Sequence, residues 1–184
     1  MKRGVLAIED TQALVASAQD GDVRAWETLY RRAYPRLLAY ARRRLDVEEA
    51  REAVSETMAR AVAGMARFTP TGPGFEGWLF GICRHVVLDA QRAAGRRGYA
   101  APPDVASTDP EPWDRLVRAD EHALVRAAFG RLGDDDRELL ELRVIAGLSA
   151  EDTAKVLGRR AGAVRTAQSR ALARLRKHLE EMQR

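Results

Sequence analysis

Eight Arg or Lys stand between Arg159 and Arg184, against only Glu180 and Glu181. Cations at that density suit the neutralisation of a polyanion. Their spacing says more. Val164, Ala167, Ala171, Leu175 and Leu179 recur at helical intervals and draw one apolar stripe. At about 100° per residue, Thr166, Ser169, Arg170, Ala173 and Lys177 fall on the opposite side, with Arg165 and Arg176 on one flank. Hydroxyl and guanidinium groups sharing an outer face can hydrogen-bond base edges in a major groove. That outer face could enter a major groove. Gln168 projects onto the apolar side and is held back from the base readers. The competing reading is a basic face that is only solvated.

The elements that must hold this face in place lie just upstream. In Gly147-Leu148-Ser149-Ala150-Glu151-Asp152, Ser149 can accept from the orphan amides of a new helix. Asp152, three residues on, approximates a capping box. Ala154, Val156 and Leu157 supply an apolar side, and Gly158 can close the helix in the left-handed conformation. The order helix, glycine turn, basic helix is that of a helix-turn-helix.

The chain has 184 residues, a formal net charge of +4 and 32% charged residues, a balance suited to a soluble protein with a polyanionic partner. No apolar run reaches the ~18 to 20 residues of a membrane span, and the Met1-Lys2-Arg3-Gly4 start lacks a signal-peptide core, so a cytoplasmic protein without membrane insertion is expected. Cys83 is the only cysteine, which excludes an intrachain disulfide and a cysteine-rich metal site and suits a small core residue. His85, His122 and His178 show no ligand spacing, and neither a phosphate-binding loop nor a nucleophile elbow is present. An enzyme is disfavoured. No catalytic residue, metal, cofactor or small-molecule substrate is expected.

Helical periodicity recurs along an Ala-, Leu- and Arg-rich chain with no convincing strand, so the fold class is all-α. Pro102, Pro103, Pro110 and Pro112, interleaved with acidic residues, mark a flexible acidic linker. The expected organisation is a helical domain over 1–97, a linker over 98–121 and a helix-turn-helix domain over 122–184. In the first domain helices are expected over Thr11–Gln19, Asp22–Arg44 with Pro35 kinking or splitting it, Val47–Arg67 and Glu76–Ala94. Val23, Trp26, Leu29, Tyr30, Leu37, Leu38, Val54, Met58, Ala61, Val62 and Met65 are the expected core contacts of the second and third. Glu121–Phe129 and Asp134–Ile145 precede the helix-turn-helix.

Several segments, in this order, resemble a family. Asp20-Gly21-Asp22 leads into Ala25-Trp26-Glu27-Thr28-Leu29-Tyr30. Val54-Ser55-Glu56-Thr57-Met58-Ala59-Arg60-Ala61 is followed by Phe75-Glu76-Gly77-Trp78-Leu79-Phe80-Gly81-Ile82-Cys83-Arg84-His85, and Leu132 to Leu179 contains Val164-Arg165-Thr166. Together they are similar to the small alternative RNA polymerase sigma factors of bacteria, of the extracytoplasmic-function (ECF) type, over about residues 10 to 180. Ser55, Met58, His85 and Ala167 replace the Gln, Phe, Asn and Arg favoured there.

That resemblance implies a mechanism. The first domain, sigma region 2, would dock on the β′ clamp helices of core RNA polymerase through Glu52, Ser55 and Glu56, where an acidic patch suits a basic partner. It would capture and open the minus-10 element with Phe75, Trp78, His85, Asp89, Arg92, Arg96 and Arg97, aromatic faces stacking bases and Arg holding phosphates. For Trp78 a core role is compatible with a partial DNA role. The second domain, region 4, would engage the β flap and read the minus-35 element through Arg159, Arg160, Arg165, Thr166, Ser169 and Arg170. A linker of some twenty residues reaches at most about 70 Å. A spacer of some 17 base pairs is about 58 Å long, so the linker can bridge both elements. Promoter DNA, core polymerase and an anti-sigma protein are the implied partners. The leading rival is a two-domain regulator that binds its operator unaided, which leaves the acidic helix and the Gly/Pro loop without purpose.

Overall fold

A computed structural model describes residues 2–69, 74–95 and 123–183. Arg96, Arg97, the 98–121 linker and most of the Gly/Pro loop lie outside them. Helices and turns make up the described residues, with no strand among them. They are α1 Lys2–Gln19, α2 Val23–Ala41, α3 Val47–Gly64 with a 3-10 turn at Met65–Arg67, α4 Phe75–Ala93, α5 over 123–130, α6 Asp134–Leu140 continued by a wide π turn at Glu141–Ile145, α7 Ala150–Leu157 and α8 Ala161–Met182.

Local chemistry starts these helices where the residues demand. The Asp22 carboxylate accepts from the amides of Arg24 and Ala25 at the head of α2. Asp46 and Glu49 form a reciprocal capping box on α3. Each such cap contributes about 1 kcal/mol. Pro35 does not split α2, which runs unbroken through it. Burial explains the tolerance, because Leu29 and Ala33 before the proline and Leu37, Tyr40 and Ala41 after it are all held in one core.

α2, α3 and α4 pack around Leu37, Val54, Leu79, Phe80, Cys83 and Val87, all essentially sealed from solvent. Three expected core contacts prove exposed: Val23 opens α2 before the helix reaches its partners, Tyr30 stacks on Tyr34 at 5.3 Å on the outside of α2, and Val62 sits off the buried Ala50, Ala53, Val54, Thr57, Met58, Ala61 face. The Gln19 side-chain amide ties the end of α1 to the Met65 and Phe68 carbonyls beyond the end of α3.

The two expected domains do not stand apart. Leu142, Ala146 and Leu148, from the π turn and the residues after it, are buried in the same apolar cluster as α2, α3 and α4, with Val156 and Leu157 of α7 against it. Two smaller clusters close the second unit on itself: Leu139, Ala150, Ala154 and Val164, and Leu132, Leu140 and Ala171.

Candidate nucleic-acid interface

The helix-turn-helix is built as the residues required. The Ser149 hydroxyl oxygen accepts from the Asp152 amide at 2.9 Å, opening α7. At its other end Gly158 takes φ +65°, ψ +34°, and the Arg159 amide reaches back to the Ala154 carbonyl at 2.7 Å. The chain then re-enters a helix at Ala161. Val164 and Ala171 are buried and Ala167 and Leu175 half-buried, so the predicted stripe is the face that packs. Gln168 lies on that side, accepting from the Arg143 Nε at 2.7 Å.

Arg159, Arg160, Arg165, Thr166, Ser169 and Arg170 are all exposed, and the last four share the outer surface of α8. Their states differ. Arg165 donates to Glu151 at 2.7 Å, and that contact, followed by Glu151's own amide, holds the Glu151 carboxyl below its ordinary pKa. Arg159 is paired with Asp135 at 2.7 Å. Arg160 and Arg170 carry no ion pair among the described residues. Thr166 returns its hydroxyl to the Gly162 carbonyl at 3.2 Å. Arg174, which the sequence left unassigned, grips Asp136 with two nitrogens at 2.6 and 2.7 Å and so braces α8 against α6.

α4 sorts the second candidate set into two. His85, Asp89 and Arg92 are exposed and lie about one turn apart on one face, with Arg92 paired to Asp89 at 2.9 Å and the His85 Nδ1 donating to the Gly81 carbonyl at 2.8 Å. Phe75 instead belongs to the core. Its ring is buried and meets Phe68 edge-on at 6.0 Å and Trp78 at 5.8 Å, leaving no face for a base. The apolar transfer energy of a phenyl ring explains the correction. Trp78 is half-buried, tilted on Phe68 at 4.8 Å and pressed against Gly64, where a Cβ would sit 3.1 Å from its ring.

On α3, Glu52, Ser55 and Glu56 line a shallow groove of about 530 Å³ with Glu48, Arg51 and Ala59. Glu48, Glu52 and Glu56 outnumber Arg51 along its lining, so the groove is net acidic although Arg51 is paired with Glu48 and Arg60 with Glu56, each at 2.7 Å. No group of His, Cys, Asp and Glu suited to a metal ion occurs among the described residues. Nor is any helix among them long and apolar enough to cross a membrane.

An acidic groove, an exposed polar line and a basic helix-turn-helix thus follow one another along the chain on two helical units. A family model described as Sigma-70 region 2 matches residues 29–97, and one described as Sigma-70, region 4 matches residues 122–175. The ECF RNA polymerase sigma factor ShbA of Streptomyces griseus is 38% identical over 181 residues, covering 92% of this chain and 95% of its own. SigD of Mycobacterium tuberculosis, another such factor, is 37% identical, with 91% and 83% covered. The solved structure of CnrH in complex with the cytosolic domain of CnrY matches with a TM-score of 0.69 at 28% identity, covering 94% of this chain and 98% of CnrH. The chain belongs to the ECF RNA polymerase sigma factors and is a promoter-directing transcription initiation factor.

Proposed function

We propose that the labour of initiation is divided along the chain as its surfaces suggest. α3 meets core polymerase through Glu52, Ser55 and Glu56, whose carboxylates suit a basic partner helix such as those of the β′ clamp. α4 handles the minus-10 element with His85, Asp89 and Arg92 on its open face, joined by Arg96 and Arg97 beyond its end, while Trp78, wedged between Phe68 and Gly64, offers at most an edge. α8 reads the minus-35 element with Arg165, Thr166, Ser169 and Arg170, Arg159 and Arg160 standing on the phosphate backbone, and the second unit also engages the β flap. No bond of a substrate is made or broken by this protein itself.

The observation that carries this reading is the outer face of α8, where four polar readers project together from a helix whose other side is locked into the core by Val164 and Ala171. Transcription in vitro with purified core polymerase tests it. Addition of the protein should yield transcripts from selected promoters, and Glu52→Lys with Glu56→Lys should abolish both core binding and transcripts. A protein that binds promoter DNA alone yet never engages core polymerase would instead be an operator-binding regulator.

A partner that restrains the factor is also proposed. CnrH, similar over nearly its whole length, was solved with the cytosolic domain of CnrY. Affinity capture from the native cell should recover a non-polymerase protein; recovery of polymerase subunits alone would count against it.

A further inference from the structure

α8 is held in its unit largely by small side chains. Its packing face carries Ala161, Val164, Ala167, Ala171 and Leu175. Contacts of this kind are non-directional, so they fix the place of a helix more firmly than its rotation about its own axis. Rotation matters to a reading face. A turn of about 20° moves a side-chain tip at a radius of about 5–6 Å by about 2 Å, more than a hydrogen bond tolerates. The directional bond on the packing side belongs to Gln168, whose Oε1 accepts from the Arg143 Nε at 2.7 Å. Arg174 with Asp136 and Arg165 with Glu151 also reach other helices, but both pairs are exposed and hold little. Arg143 stands in the π turn at Glu141–Ile145, and its Nη1 donates to the Leu148 carbonyl. The buried Leu148 also donates its amide to the Leu142 carbonyl at 2.9 Å, so both backbone groups of the residue before the Ser149 cap are fixed. One planar guanidinium, offering two donors at a set angle, thus ties the entry of α7 to the middle of α8. It lies close behind the outer face, since Glu151, held chiefly by Arg165, also feels the Arg143 charge as a smaller downward pull on its carboxyl.

We propose that Arg143 is a positioning residue for minus-35 discrimination. Through Gln168 it sets the rotation of α8, and through Leu148 it sets where α7 begins, so that Arg165, Thr166, Ser169 and Arg170 meet the groove in register. The inference rests on the role proposed above for α8. Gln168 is well placed to transmit the setting, one residue before Ser169 and three after Arg165 on the same helix. Neither Arg143 nor Gln168 touches a base in this scheme. A direct phosphate contact by Arg143 would behave differently. Losing a phosphate contact weakens binding to every sequence alike and lowers the salt slope by about one, whereas losing register weakens the matched sequence and leaves the slope in place.

Full-length variants assembled with core polymerase test this by titration, over a range of salt, with two duplexes: a promoter selected by the parent holoenzyme and the same promoter with its minus-35 element scrambled. Gln168→Met keeps the volume and removes the acceptor; Arg143→Gln removes both donors to Gln168 and Leu148. Each should lower the ratio of the two affinities about tenfold, with the salt slope unchanged. Gln168→Glu restores an acceptor and should return the parent ratio, its added charge weakening both duplexes alike. A second readout needs no promoter. In the free protein, residual dipolar couplings of the α8 amides should move against those of α7 in Gln168→Met and stay at parent values in Gln168→Glu. An unchanged ratio in Gln168→Met, a ratio in Gln168→Glu as low as in Gln168→Met, or an unchanged ratio in Arg143→Gln with a slope lower by about one would each overturn the proposal. If the parent holoenzyme shows no preference for the intact minus-35 element, the role assigned to α8 fails instead, and the dipolar couplings still decide whether Arg143 and Gln168 set the helix.

Discussion

On the roles proposed for α8, Arg170 and Arg165 differ in what each must give up before meeting DNA. Arg170 has no ion pair among the described residues, so nothing has to be broken before it meets a base or phosphate. Its replacement by Ala should weaken minus-35 binding by about 1–3 kcal/mol and reduce the salt slope by about one, as read by titration of the holoenzyme with promoter DNA. Arg165 is held by Glu151 at 2.7 Å, an exposed pair that DNA can displace. Glu151→Gln frees Arg165 and removes a negative charge from the interface; both effects act in the same direction, so the variant should bind promoter DNA more tightly in the same titration. Cys83 is the opposite case. Burial pushes its thiol from an ordinary 9.0 up to about 12, against a smaller opposing contribution from its Thr57 contact. The native protein should therefore resist alkylation at neutral pH and react only on unfolding. The sign of its pH dependence follows from the raised value: the folded chain keeps a proton that the unfolded chain loses above about 9.0. The stability it confers is full below that pH and is lost as pH climbs toward 12. In urea titrations from about pH 8 to about pH 11, Cys83→Ala should show a shallower alkaline decline than the parent.

Helix identity was legible wherever one element buries one stripe. α8 followed its Val164, Ala167, Ala171, Leu175 period because a helix face is a local property of spacing. Less legible were the decisions that depend on what packs against the helix. Pro35 carries a local penalty that burial on both sides outweighs, and Phe75 reads equally as a stacking surface or as core until Phe68 and Trp78 are known to surround it. Asp152 was read as half of a capping box, yet its carboxylate goes to the Ser149 hydroxyl and the distant Gly74 amide. The turn itself offers a test. Gly158 has open space around its Cβ position, so Gly158→Ala incurs only the left-handed backbone penalty of about 1 kcal/mol. Its thermal midpoint should fall by a few degrees, the shift that a destabilisation of this size produces in a domain of this length.

At the scale of the whole molecule, the span between the promoter elements sets a length requirement. Removing about half of the 98–121 linker leaves a reach of about 40 Å, less than the roughly 58 Å between elements. Such a chain should still bind core polymerase, since α3 is untouched, but should lose transcripts from promoters of full spacer length. Amphipathic periodicity, caps and charge density act over a few residues, so the helical class, the order of the two units and the exposed basic face of α8 could all be read along the chain. Its letters did not reveal that Glu138 and Glu141 would meet Arg43, Arg44 and Arg84, in pairs separated by as many as 98 positions. Glu141 in Leu139-Leu140-Glu141-Leu142 was the one local hint, a charge set in an apolar run. Its partner was settled by packing, because a buried carboxylate is tolerable only where cations from another element converge on it, and no local pattern encodes that convergence.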